Sequence, residues 1–218
     1  LEFRRVLFRS DWRAMKVHQI EVGDMQNFTY VVEDEETSEA IIIDPSWDLD
    51  ELGRIIEKNN LKIKYIVNTH YHFDHTIGNE AMAKQTGAPI LQYKTSTLKH
   101  DIAVSEGDTI KFGSSELGVM HTPGHSKDSM CLVGDGKIFS GDTLFVGTCG
   151  RVDLPGGDAK ELFHSLVDVL RKLDDSLIMY PGHNYGSTPT STLGDQKKTN
   201  FVMQPRTEQE FLQIMGIG

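Results

Sequence analysis

A dense run of metal-binding side chains stands directly after an apolar segment in the first half of the chain. The segment THYHFDH, residues 69–75, follows KIKYIVN, whose pattern is typical of a β-strand. It places His70, His72, Asp74 and His75 within six positions, in a protein that has nine histidines among 218 residues. Imidazole nitrogens and carboxylate oxygens are ligands that borderline divalent metals prefer. A solvated polar loop is the alternative, but the pattern favours a metal site at the end of a strand.

Three later segments also place histidine or aspartate just after a predicted strand: HTPGHS (121–126), FSGDTLF (139–145) and YPGHNYG (180–186). They add four candidate ligands: His121, His125, Asp142 and His183. Each segment alone is a weak signal, because a histidine after Pro-Gly is more often an ordinary turn residue. Together with the first segment they favour one metal centre. The four ligands of residues 70–75 alone would saturate one tetrahedral ion and leave no open position for water, so the pattern indicates two ions.

The order of predicted elements limits the fold class. Apolar spacing predicts helices at 50–60, 78–87, 158–173 and 207–215. Strands are predicted between them, and several are joined by short turns such as Gly134–Asp135–Gly136. Many hairpins disfavour a doubly wound parallel sheet. The sequence therefore predicts an α/β fold of four layers, αββα, in which two mixed β-sheets pack together and helices flank them.

Composition narrows the class of protein further. The formal charge of −10 argues against a nucleic-acid-binding surface, since phosphates attract basic faces. Two cysteines, Cys131 and Cys149, cannot build a disulfide framework or a thiolate zinc cage, which favours a reducing cytoplasm. No apolar run approaches the roughly 20 residues that cross a bilayer, so no membrane association is expected. Residues 1–14 are interpreted as a non-native or disordered extension, because Met15 resembles a natural start, and residues 15–218 as one domain.

The motifs THYHFDH, HTPGHS, SGDTLF and PGHNYG resemble those of the metallo-β-lactamase superfamily, and within it the glyoxalase II-like (hydroxyacylglutathione hydrolase-like) hydrolases. They span residues 69–186. The resemblance implies the metallo-β-lactamase fold and a binuclear metal centre. It assigns the ligands as follows: His70, His72 and His125 to one ion, Asp74, His75 and His183 to the other, and Asp142 as a bridge between them. His121 would stand at a strand end without binding metal.

The resemblance also implies an activity. Two divalent ions would activate a bridging hydroxide at neutral pH, and Asp74 would orient it for attack on a carbonyl group. The implied substrate is a small thioester, such as a hydroxyacylglutathione, whose glutathione half would contact Arg151 and Tyr185. There are two departures from that family: Asp153 replaces an aromatic residue, and the 35 residues after His183 are too few for a helical domain with further glutathione contacts. Zinc is the expected metal, with iron and manganese as alternatives, since all three accept His and Asp.

Other interpretations stay open. The segments TCGRVD and FVMQPRTEQEFLQIM resemble persulfide dioxygenases of the same superfamily, which bind one iron through residues that correspond to His70, His125 and Asp142. The bulky Phe73 and the pattern GRxDxPGGD favour the hydrolase. A non-catalytic metal-binding module would use the same ligands but would need no pocket. A nuclease is disfavoured by the formal charge of −10, and nothing in the sequence indicates an oligomeric state.

Overall fold

A computed structural model describes residues 15–217, which form two six-stranded sheets. The first sheet contains, in spatial order, β1 (Met15–Val22), β2 (Asn27–Asp34), β3 (Glu39–Ile43), β4 (Lys62–Val67), β5 (Ile90–Tyr93) and β6 (Ile102–Val104). The second sheet contains, in chain order, β7 (Thr109–Phe112), β8 (Ser115–His121), β9 (Met130–Gly134), β10 (Lys137–Gly141), β11 (Ile178–Pro181) and β12 (Ser191–Thr192). Both sheets are mixed, because β3 to β6 run parallel to one another, as do β10 and β11, whereas the remaining neighbours are antiparallel.

Helices cover the outer faces of both sheets. The α-helices are α1 (Leu49–Lys58), α2 (Phe73–Thr76), α3 (Asn79–Thr86), α4 (Ala159–His164), α5 (Leu193–Thr199) and α6 (Glu208–Ile214). Leu52 of α1 and Met82 of α3 pack on the first sheet, whereas Leu162 of α4 and Phe211 of α6 pack on the second. The layers are therefore α, β, β and α, which confirms the predicted fold class.

Strand β2 shows how the sequence produces two separate cores around one sheet. Phe28, Tyr30 and Val32 pack in the layer between the two sheets, while Val31 packs beneath the helices on the other face. Successive side chains of a strand point to opposite faces, and both faces of this sheet are covered, so Tyr30, Val31 and Val32 are apolar in succession at the centre of the strand. Each such side chain stabilises the fold by about 1.5–3 kcal/mol when it is fully buried.

One predicted helix is divided in the structure. After α4 the chain forms a π-helical turn over 165–169 and a 3₁₀ turn over 170–172. The prediction of a single α-helix over 158–173 is therefore wrong in its second half. The Ser165 hydroxyl donates a hydrogen bond of 2.6 Å to the carbonyl of Pro123, a contact between distant segments that apolar spacing does not report.

Five short elements were missed by the sequence prediction: α2, α5, β6, β12 and a 3₁₀ turn over 201–203. They are between two and seven residues long, and such segments are too short to display a helical or strand period. The other predicted helices and strands are confirmed, with ends that differ by a few residues. Residues 1–14, interpreted as a non-native or disordered extension, lie outside the described residues, and a single domain over 15–218 stays a prediction. Within residues 15–217 no helix has the length and apolarity that a bilayer crossing requires.

Asp34, the last residue of β2, links the two sheets through its carboxylate. The side chain is fully buried and accepts hydrogen bonds of 2.6–3.1 Å from backbone and hydroxyl groups of Thr37, Ser114 and Ser115. Burial alone would raise the pKa of Asp34, but the hydrogen bonds outweigh burial and lower the pKa to about 2. The ionised carboxylate therefore stabilises the folded chain.

Replacement of Asp34 by asparagine is expected to lower the free energy of unfolding by about 2 kcal/mol at pH 7. Because the pKa is depressed in the folded state, the stabilisation is present above the ordinary aspartate pKa and is lost as the pH falls towards 2. Urea unfolding of both proteins at pH 7 and pH 3 measures this, and the difference should shrink to about half at pH 3. An equal difference at both pH values would contradict the role given to the carboxylate.

Candidate metal centre

The candidate loops meet at one edge of the two sheets because of the strand directions. β8 and β10 are both antiparallel to β9, and β11 is parallel to β10, so these three strands end on the same side. The loops that follow them carry His125, Asp142 and His183. β4 of the facing sheet delivers His70 to the same place. Four segments that are far apart in the chain therefore converge.

Gly141 allows the two sheets to approach closely beneath the site. Its φ of +48° lies in the left-handed region, and an added Cβ atom would come within 2.6 Å of the Thr69 side chain. Glycine is the residue that satisfies both conditions without strain. The close approach places Asp142, the next residue, beside the histidines that follow Thr69.

Three imidazole rings form a first ligand group. Nε2 of His70 lies 3.0 Å from Nδ1 of His72, which lies 2.8 Å from Nε2 of His125. In a tetrahedral zinc site with bonds of 2.0–2.1 Å, neighbouring ligand atoms stand about 3.3 Å apart. The three nitrogens therefore have nearly the spacing that one metal ion requires, and together they could hold it.

Asp74, His75 and His183 form a second ligand group. The Nε2 atoms of His75 and His183 are 3.1 Å apart, and Oδ2 of Asp74 lies 3.3 Å from the first and 3.4 Å from the second. All three residues are buried. Helix α2 supplies Asp74 and His75 from adjacent positions, and β11 leads into His183. This group could hold a second ion.

The Asp142 carboxylate lies between the two groups. Its Oδ2 is 3.5 Å from Nε2 of His125 and 3.3 Å from Nε2 of His183, and its Oδ1 is 3.4 Å from Nε2 of His75. Oδ1 is buried and has no hydrogen-bond partner among the described residues. A buried carboxylate oxygen without a donor is costly unless a cation neutralises it. Its position and its unsatisfied oxygen fit a carboxylate that bridges two metal ions.

Hydrogen bonds on the far side of the rings set their tautomers. Nδ1 of His125 donates to the carbonyl of Arg151 at 2.7 Å, and Nδ1 of His183 donates to the carbonyl of Met25 at 2.9 Å. A carbonyl oxygen can only accept, so Nδ1 carries the proton and Nε2 of the neutral ring presents its lone pair to the site. This is the form of histidine that binds a metal.

Asp44, directly after β3, orients the rings that follow β4. Its Oδ2 lies 3.0 Å from Nδ1 of His75 and accepts the Thr69 hydroxyl at 2.6 Å, while its Oδ1 accepts the Thr69 N–H at 2.7 Å. The Thr69 oxygen lies 3.1 Å from Nδ1 of His70 and accepts its proton, because the hydroxyl hydrogen is directed to Asp44. One buried carboxylate thus fixes two candidate ligands.

Three buried polar residues that hold the candidate ligands were missed by the sequence analysis: Asp44, Asn27 and Ser46. Asn27 donates to Oδ2 of Asp74 at 2.9 Å, and the Ser46 hydroxyl donates to the carbonyl of Asp74. A signal existed for Asp44, because a carboxylate that ends an apolar strand is buried only with partners. Asn27 carried no such signal, since it reaches Asp74 from a distant segment.

Burial and neighbouring charges divide the site into two halves. Burial, together with the adjacent His125 ring, lowers the pKa of His72 to about 4, so this ring is neutral at pH 7. Burial would also lower the pKa of His183, but the carboxylates of Asp142 and Asp74 outweigh it and raise the pKa to about 9. His72 of the first group therefore offers a neutral nitrogen ligand, and the surroundings of His183 in the second group stabilise positive charge, which protons or a divalent cation can supply.

A cleft of about 840 Å³ opens over the ligand groups. Its walls are mainly apolar and aromatic: Met25, Tyr71, Phe73, Leu98, Phe145, Leu154, Pro155 and Tyr185. The side chains of His72, Asp74, His125, Asp142 and His183 also line it. A cleft of this size and composition accommodates a small molecule, and this one gives that molecule access to the candidate ligands.

The two residues predicted to bind substrate both line this cleft. Tyr185 stacks on the ring of His183, with centroids 4.7 Å apart and planes inclined by 12°. The guanidinium of Arg151 forms two hydrogen bonds of 2.6 Å with the carboxylate of Asp153. Both residues therefore lie beside the ligand groups, but Arg151 is engaged by an acid of its own loop.

His121, a candidate from the sequence, and Cys149, a thiol near the site, have no direct part in the cluster. His121, at the end of β8, stacks on the ring of Tyr93 at 4.2 Å and belongs to neither ligand group. Cys149 lines the cleft, but burial raises the pKa of its thiol to about 12. A neutral thiol is a poor nucleophile, so Cys149 does not offer a substitute for activated water.

Comparison with known proteins assigns the chain to a family. The model of the metallo-beta-lactamase superfamily matches residues 22–95 and 91–183. The chain belongs to this superfamily, whose members bind metal ions and are mostly hydrolases. The resemblance that the four motifs indicated is thereby confirmed.

Relatives within the superfamily agree on the fold and differ in activity. A hydroxyacylglutathione hydrolase from Polaromonas sp. strain JS666 is 36% identical over 179 residues, which cover 78% of this chain and 67% of the relative. The mitochondrial persulfide dioxygenase ETHE1 of Homo sapiens is 32% identical over 193 residues, which cover 87% of this chain and 76% of the relative. The crystal structure of ETHE1 from Myxococcus xanthus has a TM-score of 0.85 and 30% identity, and the match covers 93% of this chain and 90% of that one.

Proposed function

We propose that the protein is a metallo-hydrolase that cleaves a thioester, with a hydroxyacylglutathione as the reference substrate. The observation that carries this proposal is the Asp142 carboxylate, which stands between two ligand groups and lines an apolar cleft. A protein that only stored or sensed a metal would saturate its ligands and would need no cleft. The relative from Polaromonas, a hydroxyacylglutathione hydrolase, supports the thioester class.

Seven side chains would hold two divalent cations: His70, His72, Asp74, His75, His125, Asp142 and His183. Zinc is proposed because imidazole and carboxylate ligands suit it, with iron and manganese as alternatives. When bound, such cations supply hydroxide from water at neutral pH and polarise a substrate carbonyl. The protein's own part is to keep the rings in the ligating tautomer, which the outward hydrogen bonds from Nδ1 of His125 and His183 achieve.

Asp74 has a second proposed role, as the carboxylate that orients the attacking water. Burial would raise the pKa of Asp74, but hydrogen bonds from His183 and His75 outweigh burial and hold the pKa well below its usual range. Asn27 fixes the carboxylate by donating to Oδ2 at 2.9 Å. An ionised carboxylate held in one position can accept a hydrogen bond from water and direct the oxygen lone pair towards a carbonyl carbon.

The substrate itself would lie along the walls of the cleft. Aromatic and aliphatic side chains such as Phe145 and Leu154 exclude water from a bound thioester, which strengthens electrostatic interactions at the reacting carbonyl. Tyr185 and Arg151 are the proposed contacts for the thiol half, because both line the cleft beside His183 or His125.

A persulfide dioxygenase is the second candidate function. Human ETHE1, which has this activity, is 32% identical over 87% of this chain. In this alternative one iron would be held by His70, His125 and Asp142, a triad that leaves positions open for O₂ and substrate. Oδ2 of Asp142 lies 3.5 Å from Nε2 of His125, so these two ligands can reach one ion.

Metal content and two assays on one preparation separate these functions. The protein is purified without added metal, its metal content is measured, and it is assayed for lactoylglutathione hydrolysis and for persulfide-dependent O₂ uptake. About two ions per chain together with thioester cleavage is the result expected for the hydrolase. One iron per chain with O₂ uptake would replace it by the dioxygenase, and bound metal with neither activity would support a metal-binding module.

A further inference from the structure

Arg151 is the one lysine or arginine among the described residues that line the cleft. Its backbone is fixed next to the first ligand group, because its carbonyl accepts the hydrogen bond from Nδ1 of His125 at 2.7 Å. The preceding residue, Gly150, donates its N–H to the carbonyl of Asp142 at 3.0 Å. This hydrogen bond holds the same loop against the end of β10. A substrate carboxylate would therefore have Arg151 as its guanidinium partner in the cleft.

Asp153 already occupies that guanidinium. Nε and Nη2 of Arg151 each donate a hydrogen bond of 2.6 Å, to different oxygens of Asp153. Two parallel bonds of this kind occupy the Nε–Nη2 edge of the guanidinium, which is one of the two edges at which a substrate carboxylate can form a pair of hydrogen bonds. The hydrogen bonds from Arg151 also lower the pKa of Asp153 to about 2, so its carboxylate is charged at neutral pH. The side chains are 64% and 63% exposed, so a ligand can reach the pair.

An acid of the same loop has two advantages over a carboxylate in solution. Asp153 stands two residues from Arg151, so it competes at a high effective concentration. If a ligand displaces it, Asp153 remains nearby as an unpaired negative charge, in a protein whose formal charge is −10. Both effects weaken the binding of thiol carriers with carboxylates, such as glutathione. A carrier without carboxylates meets only the apolar and aromatic walls and is not penalised.

We propose that Asp153 determines the specificity for the thiol half of the substrate: by occupying Arg151 it directs the cleft towards thioesters whose thiol carries no carboxylate and away from glutathione thioesters. This refinement rests on the proposed thioester hydrolysis for its consequence in catalysis. The binding preference itself is a property of the Arg151–Asp153 pair and can be measured without turnover.

The test uses two unreactive ligands, S-methylglutathione and N-acetyl-S-methylcysteamine, of which only the first has carboxylates. Their dissociation constants are measured by NMR titration of the protein as purified and of the variants Asp153→Ala, Arg151→Gln and the double variant. Asp153→Ala should lower the dissociation constant of S-methylglutathione about fivefold. The dissociation constant of N-acetyl-S-methylcysteamine should stay unchanged. In the Arg151→Gln background the same change should have no such effect, because no guanidinium is released.

Glu57→Ala is the control for a change in net charge, since it removes one exposed carboxylate of α1 that does not line the cleft. Unchanged affinity of Asp153→Ala for S-methylglutathione would overturn the proposal. Equal tightening in the Arg151→Gln background would also overturn it, because simple charge repulsion by Asp153 would then suffice.

Lactoyl thioesters of glutathione and of N-acetylcysteamine are assayed in parallel. Failure to hydrolyse both thioesters would refute the proposed function and leave the binding result standing.

Discussion

Replacement of Asp142 by alanine is expected to lower turnover at least about a thousandfold while the protein stays folded. The carboxylate lies 3.5 Å from Nε2 of His125 and 3.3 Å from Nε2 of His183, so its loss removes the link between the two ligand groups. The fold should tolerate the change, because Oδ1 has no hydrogen-bond partner within the described part of the chain. Turnover of lactoylglutathione, metal content and thermal unfolding by circular dichroism are measured on one preparation.

Asp50→Ala is the matched control, because it also removes an aspartate carboxylate, from the first turn of α1. This variant should retain turnover and metal content. Turnover of Asp142→Ala within about tenfold of the unaltered protein would contradict the bridging role. Loss of cooperative unfolding in Asp142→Ala would show instead that the fold depends on this carboxylate.

Replacement of Asp44 by asparagine is expected to weaken metal binding about 10- to 100-fold, although Asp44 is not a proposed ligand. Its two oxygens serve three donors: the N–H and the hydroxyl of Thr69, and Nδ1 of His75. Asparagine has one acceptor oxygen and an NH₂ group that can only donate, so Nδ1 of His75 would face a donor. The proton then moves to Nε2, which no longer presents a lone pair to the site. Competition with a chromophoric chelator measures the affinity.

The Asp34→Asn variant is the matched control for this experiment. Asp34 is also a buried aspartate with several hydrogen bonds, and its partners are Thr37, Ser114 and Ser115, none of which is a candidate ligand. It should destabilise the fold and leave metal affinity within about twofold, since distant sites act independently. Equal losses of affinity in both variants would attribute the effect to general destabilisation and not to the tautomer of His75.

The turns that carry the candidate ligands could be predicted because each of them is local. His70, His72, Asp74 and His75 follow one apolar strand, and the later turns repeat strand endings with glycine next to histidine or aspartate. The two-sheet architecture was predictable for a similar reason, since apolar strands joined by tight turns pack as sheets. The π-helical turn over 165–169 was not, because its contacts include a hydrogen bond to a distant carbonyl.

The amino-acid sequence by itself determined which candidate ligand atoms this protein has and that they follow strands, because residue types and short spacings are local properties of the chain. Only the tertiary structure decided that two groups of ligands meet at Asp142, that Asp44 and backbone carbonyls set the tautomers of the rings, and that Asp153 engages Arg151. The physical reason is range. Hydrogen bonds and metal coordination act over about 2–3.5 Å, and at that scale the distances between remote residues are set by how the two sheets pack.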